Sequence, residues 1–338
     1  MGNIFNYTQE DLERWLLDNS EKKYRGRQLF DWLYVKRVNT FANMSNLSKD
    51  LISKLENSFS ISDISLIKKE EDEGVIKYLF KLEDEEFIES VVMFHDYGIS
   101  LCVSSQVGCN MGCVFCNSGT LKKVRNLSPS EIILQILKVE KDIKKRISHI
   151  VIMGIGEPFD NYDNICNFIK IINNPFGLNI GSRHITVSTC GIVPKILEFS
   201  DFKYQVNLAI SLHAPNDVLR NGLMPISKVY DLKSLIDAVK KYIKVTNRRV
   251  TFEYIMLDGV NDTKECALEL AKLIRGMNAY VNLIPYNETV NLTYKRSNDL
   301  KINKFYDILK KEGINVTIRK EFGKKISAAC GQLRSNKE

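Results

Sequence analysis

The sequence lacks the features that mark membrane-spanning, secreted and repeat proteins. No run of about 18 apolar residues occurs, and the N-terminal stretch MGNIFNYTQEDLERW has no apolar segment of the secretory type. There is no low-complexity segment and no repeat of fixed period. The chain contains only four histidines, and none of them lies near a cysteine cluster. We therefore expect a cytoplasmic protein that does not associate with a membrane.

The composition is that of a globular enzyme with an excess of positive charge. Of the 338 residues, 44% are hydrophobic and 26% are charged, which suits one large domain with a smaller one attached. The formal net charge is +7, and residues 301–338 carry ten Lys or Arg against four Asp or Glu. A basic end of this kind is typical of a surface that binds phosphate backbones, and equally of an ordinary solvated surface.

From about residue 100 onward, strand-like runs alternate with helical patterns. The runs are SLCVSS (100–105), HIVIMG (149–154), HITVST (184–189), VNLAISL (206–212), VTFEYIML (250–257), VNLIPY (281–286) and NVTIRK (315–320). Alternation of strand and helix predicts an α/β fold with a parallel sheet. A partial or full α/β barrel and a doubly wound open sheet both fit this pattern.

The positions of the unusual polar motifs favour the barrel. A cysteine loop follows the first run, GIGEP the second, SLHAP the fourth and PYN the sixth, while STCG ends the third. In α/β barrels the active site is built from loops at the carboxyl ends of the strands. Five motifs at that end predict one site to which all of them contribute.

The residues before the barrel form two further parts. Residues 1–60 read as a small amphipathic helical bundle whose basic residues, among them Arg25, Arg27, Lys36 and Arg37, could alternatively form a face that holds RNA. Residues 61–94 read as short connecting strands, as in VIKYLFKL and FIESVVMF. We place the barrel at residues 95–320 and a C-terminal loop and tail at 321–338.

Four cysteines lie close together in CVSSQVGCNMGCVFC, residues 102–116. Cys109, Cys113 and Cys116 have the spacing C-x3-C-x2-C, which can place three thiolates on three corners of a four-iron four-sulfur cubane and leave one iron open. A closed zinc site would need a fourth ligand. The spacing therefore favours an iron–sulfur cluster over zinc.

This spacing resembles that of the radical S-adenosylmethionine (radical SAM) superfamily. The resemblance implies a partial (β/α)6 barrel in which the open iron chelates the amine and carboxylate of SAM. In GIGEP, Glu157 stands at a strand end, where its carboxylate could accept a hydrogen bond from the methionyl ammonium, and Gly154 and Gly156 permit close backbone approach.

More specifically, the chain resembles the RlmN/Cfr family of adenine methyltransferases. The stretches that carry this resemblance span residues 89–333 and are ESVVMF, LCVSSQVGCNMGCVFC, RNLSPSEI, MGIGEP, VSTCGIVP, LAISLHAPND, MPI, YIMLDGVND, NLIPYN and AACGQL. The resemblance implies methylation of an adenine in 23S rRNA, in some members also of a tRNA adenine, with electrons from an external donor. We expect a monomer.

The resemblance also implies roles for individual residues. Cys330 would carry a methyl group taken from a first SAM, and a radical from a second SAM would activate it. Cys102 would be the resolving thiol, forming a transient disulfide with Cys330, and Glu89 would accept the ring proton. Contacts to SAM would come from Gly156, Glu157, Ser188, Ser211, Leu212, His213 and Asn287.

Alternatives remain at three levels. Within the family, C2 methylation of the adenine is favoured over the C8 methylation that confers antibiotic resistance. A radical SAM enzyme acting on a peptide or small molecule and a zinc-stabilised RNA-binding protein are further alternatives. The chain departs from the family pattern at Lys325 and Ser327, which replace aspartates and should make the surroundings of Cys330 less negative.

Overall fold

Polar caps define the starts of the helices in the first 60 residues. The structure is a computed structural model that describes residues 1–289, 292–319, 326 and 331–333. Thr8 accepts a hydrogen bond from the backbone N–H of Asp11 at 3.2 Å, and the Asp11 carboxylate accepts one from Thr8 N–H at 3.0 Å. The elements here are β1 (Gly2–Asn3), α1 (Gln9–Asp18), α2 (Arg25–Phe30), α3 (Lys49–Ser58) and β2 (Phe59–Ser60), with a π-helical turn at Asp31–Val35 after α2.

The four basic residues of this helical part all have partners within the chain. The pairs are Arg25 with Glu21 at 3.2 Å, Arg27 above the ring of Phe176 at 4.1 Å, Lys36 above the ring of Trp32 at 3.6 Å, and Arg37 with Glu140. Two of these partners, Phe176 and Glu140, belong to the barrel. These basic side chains therefore help to dock the helices on the barrel, and an RNA-binding role for residues 1–60 stays a prediction.

Twelve strands continue the chain, ten of them in one sheet. The strands are β3 (Ser65–Asp72), β4 (Val75–Lys81), β5 (Phe87–His95), β6 (Gly98–Cys102), β7 (Gln106–Val107), β8 (Arg125–Asn126), β9 (His149–Ile152), β10 (Ile185–Thr189), β11 (Asn207–Ser211), β12 (Val250–Met256), β13 (Ala279–Pro285) and β14 (Val316–Ile318). The order in the large sheet is β14-β13-β12-β11-β10-β9-β6-β5-β4-β3, and β7 pairs with β8.

The large sheet is parallel from β6 to β14 and antiparallel from β3 to β6. All seven predicted strand runs of the α/β part are confirmed, and so is the α/β class. Within the described residues β14 and β3 are the two edges, so the sheet curves as a partial barrel. The short strands of residues 61–94 belong to the same sheet, since Val91 of β5 pairs directly with Cys102 of β6.

Helices cover the outer side of the parallel strands. They are α4 (Pro129–Ile143), α5 (Tyr162–Asn173), α6 (Val193–Phe199), α7 (Asp217–Leu223), α8 (Leu232–Thr246), α9 (Lys264–Ile274) and α10 (Asp299–Lys311). Their apolar faces join the strands in one large core. In the part of the chain that the structure describes, no helix has the length and apolar character needed to cross a membrane.

A buried glutamine fixes the end of β6 against the neighbouring strand and helix. Gln135 of α4 accepts hydrogen bonds from the Ser90 hydroxyl at 2.7 Å and from Ser104 N–H at 2.9 Å. Its amide donates to the Ser104 carbonyl at 3.1 Å. Ser104 stands two residues after Cys102, so this network holds the chain where it leaves the sheet toward the cysteine loop.

Replacing Gln135 by leucine should destabilise the fold. The substitution leaves the buried backbone groups of Ser104 and the hydroxyl of Ser90 without this partner, which costs roughly 2–4 kcal/mol in the free energy of unfolding. Urea denaturation measures the loss. Gln205→Leu, at an exposed position, is the matched control and should change stability by less than about 0.5 kcal/mol. Equal stability of the two variants would contradict the role assigned to Gln135.

Candidate active site at the carboxyl ends of the strands

The cysteine loop is held in shape by its own backbone contacts. Cys109 N–H donates to the Leu121 carbonyl at 3.1 Å, and Val114 N–H donates to the Leu223 carbonyl at 3.1 Å. Gly108 has a φ of +72°, and a Cβ there would lie 2.2 Å from the carbonyl oxygen of Lys122. Only glycine fits this turn.

The three cysteines of the C-x3-C-x2-C motif line one cavity of about 150 Å³ at the carboxyl ends of the strands. The sequence-predicted residues that line it are Cys109, Cys113, Cys116, Gly156, Glu157, Ser188, Ser211 and His213. The barrel thus brings together the cysteine loop after β6 and the ends of β9, β10 and β11. The predicted convergence of the motifs on one site is confirmed for these residues.

The surroundings of the thiols favour a bound cationic group. Burial raises the pKa of Cys109 to about 12 and raises that of Cys113 well above its ordinary value. Thiolate ligands therefore need the positive charge of a metal centre to form here. Among the described residues no three His, Cys, Asp or Glu side chains converge as ligands of a single ion. A cubane asks for something different, because each thiolate binds a separate iron.

Glu157 is fixed in the wall of the cavity by two backbone hydrogen bonds. Its Oε1 accepts from Phe159 N–H at 2.9 Å and its Oε2 from Cys190 N–H at 2.7 Å. Burial raises the pKa of this carboxyl group. Each oxygen keeps a second lone pair, so Glu157 can still accept from a ligand. The preceding Gly156 has a φ of +109°, and a Cβ there would lie 2.6 Å from the Cβ of Gln106.

The histidine of SLHAP presents one defined nitrogen as a donor. His213 Nδ1 accepts a hydrogen bond from Ile255 N–H at 3.1 Å, which leaves the proton on Nε2. Burial, together with the charge of Arg220, lowers the pKa of His213 to about 3. The imidazole is therefore neutral. On the neighbouring strand ends, the hydroxyl oxygens of Ser188 and Ser211 lie 3.4 Å apart.

Two predicted cofactor contacts do not line the cavity. Leu212 has its side chain in the core, its N–H donates to the Glu253 carbonyl, and its carbonyl accepts from Arg220 Nε. Asn287 is buried, and its Oδ1 has no hydrogen-bond partner among the described residues. An unsatisfied buried acceptor beside the cysteine loop fits an ammonium group supplied by a ligand.

The predicted resolving thiol and proton acceptor share one face of the sheet. Cys102 pairs with Val91, and Glu89 stands two residues from Val91 on the same strand. Side chains at such diagonal positions lie roughly 7–8 Å apart. Both are buried, and Glu89 Oε1 lies 3.5 Å from Lys77 Nζ.

Cys330 lies outside the described residues, but residues on either side of it are described. Ile326 and Leu333 pack in the same apolar cluster as Cys102. Gly331 lines the cavity of the three cysteines. All seven described cysteines are free thiols. A disulfide is therefore absent from the described part of the chain, and the expected pairing with Cys330 is not tested by it.

Two residues that sequence reasoning missed hold the segment after Cys330. Asn117 N–H donates to the Gly331 carbonyl at 2.7 Å, and Asn117 Nδ2 donates to the Gln332 carbonyl at 3.2 Å. Ser118 Oγ donates to the Leu333 carbonyl at 2.6 Å. Their position directly after Cys116 was the available signal. These bonds tie the cysteine loop to the C-terminal segment.

A buried arginine beside the cysteines was also missed. Arg220 is fully buried, and its guanidinium donates to the carbonyls of Cys190 at 2.7 Å and Leu212 at 3.2 Å. Its Nη1 has no partner among the described residues, and burial lowers its pKa. A buried cation without a carboxylate partner is costly. The nearby thiolates of an occupied cysteine site would supply the missing negative charge.

Comparison with known proteins agrees with this geometry. Residues 103–274 match the family model of the radical SAM superfamily, and residues 2–61 match that of the ribosomal RNA large subunit methyltransferase N-terminal domain. A probable dual-specificity RNA methyltransferase RlmN of Spiroplasma citri is 53% identical over 342 aligned residues, covering 100% of this chain and 99% of the relative. The chain belongs to the RlmN family. A relative of the same name from Enterococcus faecalis is also 53% identical, covering 98% of this chain and 96% of its own length.

Solved structures extend the likeness of this RlmN-family chain to its whole fold. A radical SAM methyltransferase from Sphaerobacter thermophilus superposes with a TM-score of 0.93 at 39% identity, covering 99% of this chain and 100% of the other. Streptococcus suis SuiB bound to S-adenosylmethionine gives a TM-score of 0.51 at 17% identity, covering 67% of this chain and 54% of the other, which shows a common fold alone.

Membership of the RlmN family makes the chain a radical SAM RNA methyltransferase, a class whose cofactors are a four-iron four-sulfur cluster and SAM. The residues present fit both groups. Three thiols on one loop would hold the cluster, and the unsatisfied Oδ1 of Asn287 is a suitable acceptor for the ammonium of SAM. When bound, the pair supplies a deoxyadenosyl radical.

Replacing Arg220 by methionine should weaken retention of the cluster. The substitution keeps the volume but removes the buried positive charge nearest the thiolates, and a loss of about 1.4 kcal/mol corresponds to roughly tenfold faster loss of iron. Release of iron to a chelator from the anaerobically reconstituted protein measures this. Arg220→Lys keeps the charge and should retain iron better than the methionine variant. Identical release from the two variants would refute the electrostatic role.

Proposed function

We propose that this RlmN-family chain methylates C2 of the peptidyl-transferase-centre adenine in 23S rRNA, and a tRNA adenine beside the anticodon, through an S-methylcysteine at Cys330. The observation that carries the proposal is the placement of the described residues around Cys330. Gly331 lines the cavity of the cluster cysteines, while Ile326 and Leu333 pack with Cys102. The segment thus runs between the place of radical formation and a second thiol.

A methyl carrier on the protein suits the chemistry of adenine. C2 is an electron-poor ring carbon and does not attack the methyl group of SAM directly. In the proposed route Cys330 first takes a methyl group from one SAM. The radical derived from a second SAM removes a hydrogen atom from that methyl group, and the resulting carbon radical adds to C2. The adenine must leave its stack to reach the barrel, at a cost of a few kcal/mol.

Addition leaves RNA and protein joined through the sulfur of Cys330, and two buried groups on β5 and β6 would resolve the adduct. Glu89, held by Lys77 at 3.5 Å, would accept the ring proton. The Cys102 thiolate would then attack the Cys330 sulfur, forming a disulfide and releasing the methylated base. An external reductant must restore both thiols before the next turnover. The shared face of Cys102 and Glu89 supports this assignment.

Locating the new methyl group on product RNA tests the proposed function. The reconstituted protein, SAM and a reductant are incubated with a fragment of 23S rRNA or with tRNA, and the digested nucleosides are compared with 2-methyladenosine and 8-methyladenosine standards. We expect 2-methyladenosine from the wild type and none from Cys113→Ser. A methyl group at C8, or on a nitrogen or ribose, would contradict the proposal.

Replacing Cys102 by alanine should trap the covalent adduct. Without the resolving thiol, the carbon–sulfur link between Cys330 and the RNA has no route to cleavage. Denaturing gels with labelled RNA should show a protein–RNA species that accumulates toward one per active site. Cys166→Ala removes another buried cysteine, on α5, and serves as the control. Normal release of product by the Cys102 variant would refute the two-thiol route.

Replacing Ser118 by alanine should reduce methylation of Cys330. The hydroxyl holds the carbonyl of Leu333, and loss of one hydrogen bond of about 1 kcal/mol predicts a roughly fivefold lower rate. Peptide mass spectrometry measures the S-methylcysteine. Ser200→Ala removes a similar 2.6 Å hydrogen bond, to the Leu197 carbonyl, and is the matched control. Equal methylation in both variants would show that this contact does not position Cys330.

A further inference from the structure

The amino-terminal mouth of the barrel is hollow and polar. The interior of a closed α/β barrel is ordinarily filled by layers of branched apolar side chains. Here a cavity of about 1400 Å³ opens at the end opposite the cysteines. The strand residues that line it are mostly small or polar and include Thr186, Ala209, Thr251, Asn282 and Thr317. Side chains of this size and kind leave the space unfilled and wet.

Three arginines lie at the rim of this mouth and have only neutral partners. Arg183 Nε donates to the Gln205 amide oxygen at 3.0 Å, and Arg248 Nη2 lies 3.4 Å from the Asn207 amide oxygen. Arg249 lies 5.1 Å from the centre of the Tyr280 ring. None of these three guanidinium groups has a carboxylate partner in the described ranges 1–289 and 292–319.

The charge around the mouth is strongly one-sided. Arg319 adds a fourth guanidinium to the lining, and Glu253 is the one carboxylate among the described lining residues. Burial raises the pKa of Glu253, and its Oε2 accepts from Asn282 Nδ2 at 2.9 Å. Asp96 lines an adjoining cavity that also contains Arg319. Burial and the charge of Arg183 lower the pKa of Arg248, as expected where cations face one another.

We propose that this mouth, defined by Arg183, Arg248 and Arg249, binds a ligand that carries several phosphate groups. Guanidinium groups bind phosphate oxygens through two parallel hydrogen bonds. Three of them around one cavity match a multivalent anion better than a single carboxylate. The amide and hydroxyl groups of the wall would hydrogen-bond the rest of such a ligand.

The proposed site is separate from the cofactor cavity. The arginines precede or begin β10 and β12, whereas the cysteines lie beyond the carboxyl end of β6. A strand of five residues spans roughly 17 Å. The phosphates could belong to a free nucleotide or to a stretch of RNA backbone remote from the target adenine. Neither source depends on the methylation chemistry proposed above.

Titration with two probes tests the proposal and distinguishes the sources. Inorganic pyrophosphate stands for a free phosphorylated ligand, and a ten-residue oligouridylate stands for RNA backbone without a target adenine. Binding is followed by calorimetry for the full chain and for Arg183→Gln/Arg249→Gln. Arg275→Gln is the matched control, since Arg275 is exposed and pairs with Glu312 at 2.6 Å, away from the mouth.

We expect at least one probe to bind the wild type and Arg275→Gln alike and to bind the double variant at least tenfold more weakly. Loss confined to pyrophosphate identifies a free ligand. Loss of oligouridylate binding, with the salt dependence falling by about 0.7 per lost phosphate contact, identifies RNA backbone. The proposal is overturned if neither probe binds the wild type, or if the double variant binds like the control. Thermal unfolding verifies that each variant is folded.

Discussion

The parallel register from β6 to β14 is the constraint on which the rest of the site depends. Because every strand from β9 onward runs in the same direction as β6, every loop after a strand emerges at the same end of the barrel. The cysteine loop, GIGEP, STCG and SLHAP are far apart in sequence and meet around one cavity for this reason. The antiparallel strands before β6 add Glu89 to the face that carries Cys102.

The cavity is linked to the C-terminal segment through contacts on two sides. Asn117 and Ser118 bind the backbone of residues 331–333, directly after the cluster cysteines. Leu333 and Ile326 pack against the apolar group that contains Cys102. A residue between 326 and 331 is thereby flanked by contacts to both thiol sites. This double attachment is the physical basis for giving Cys330 a role between them.

Much of the fold and site could be predicted from the sequence, because the strand runs and the motifs after them are local patterns. The seven parallel strands and eight cavity residues follow from such patterns. Arg220 could not be predicted, since NDVLRNGL looks like any short amphipathic helix, and its burial depends on how α7 packs over the strand ends. The same holds for Arg27, which stacks on Phe176 of the barrel rather than facing solvent.

The central claim is that Cys109, Cys113 and Cys116 hold a cluster with one iron open to SAM. Anaerobic reconstitution with iron and sulfide, followed by metal analysis and electron paramagnetic resonance with and without SAM, tests it most directly. The account predicts about four irons and four sulfides per chain and a reduced-cluster spectrum that changes when SAM is added. A colourless protein with one zinc per chain, or a spectrum indifferent to SAM, would contradict it.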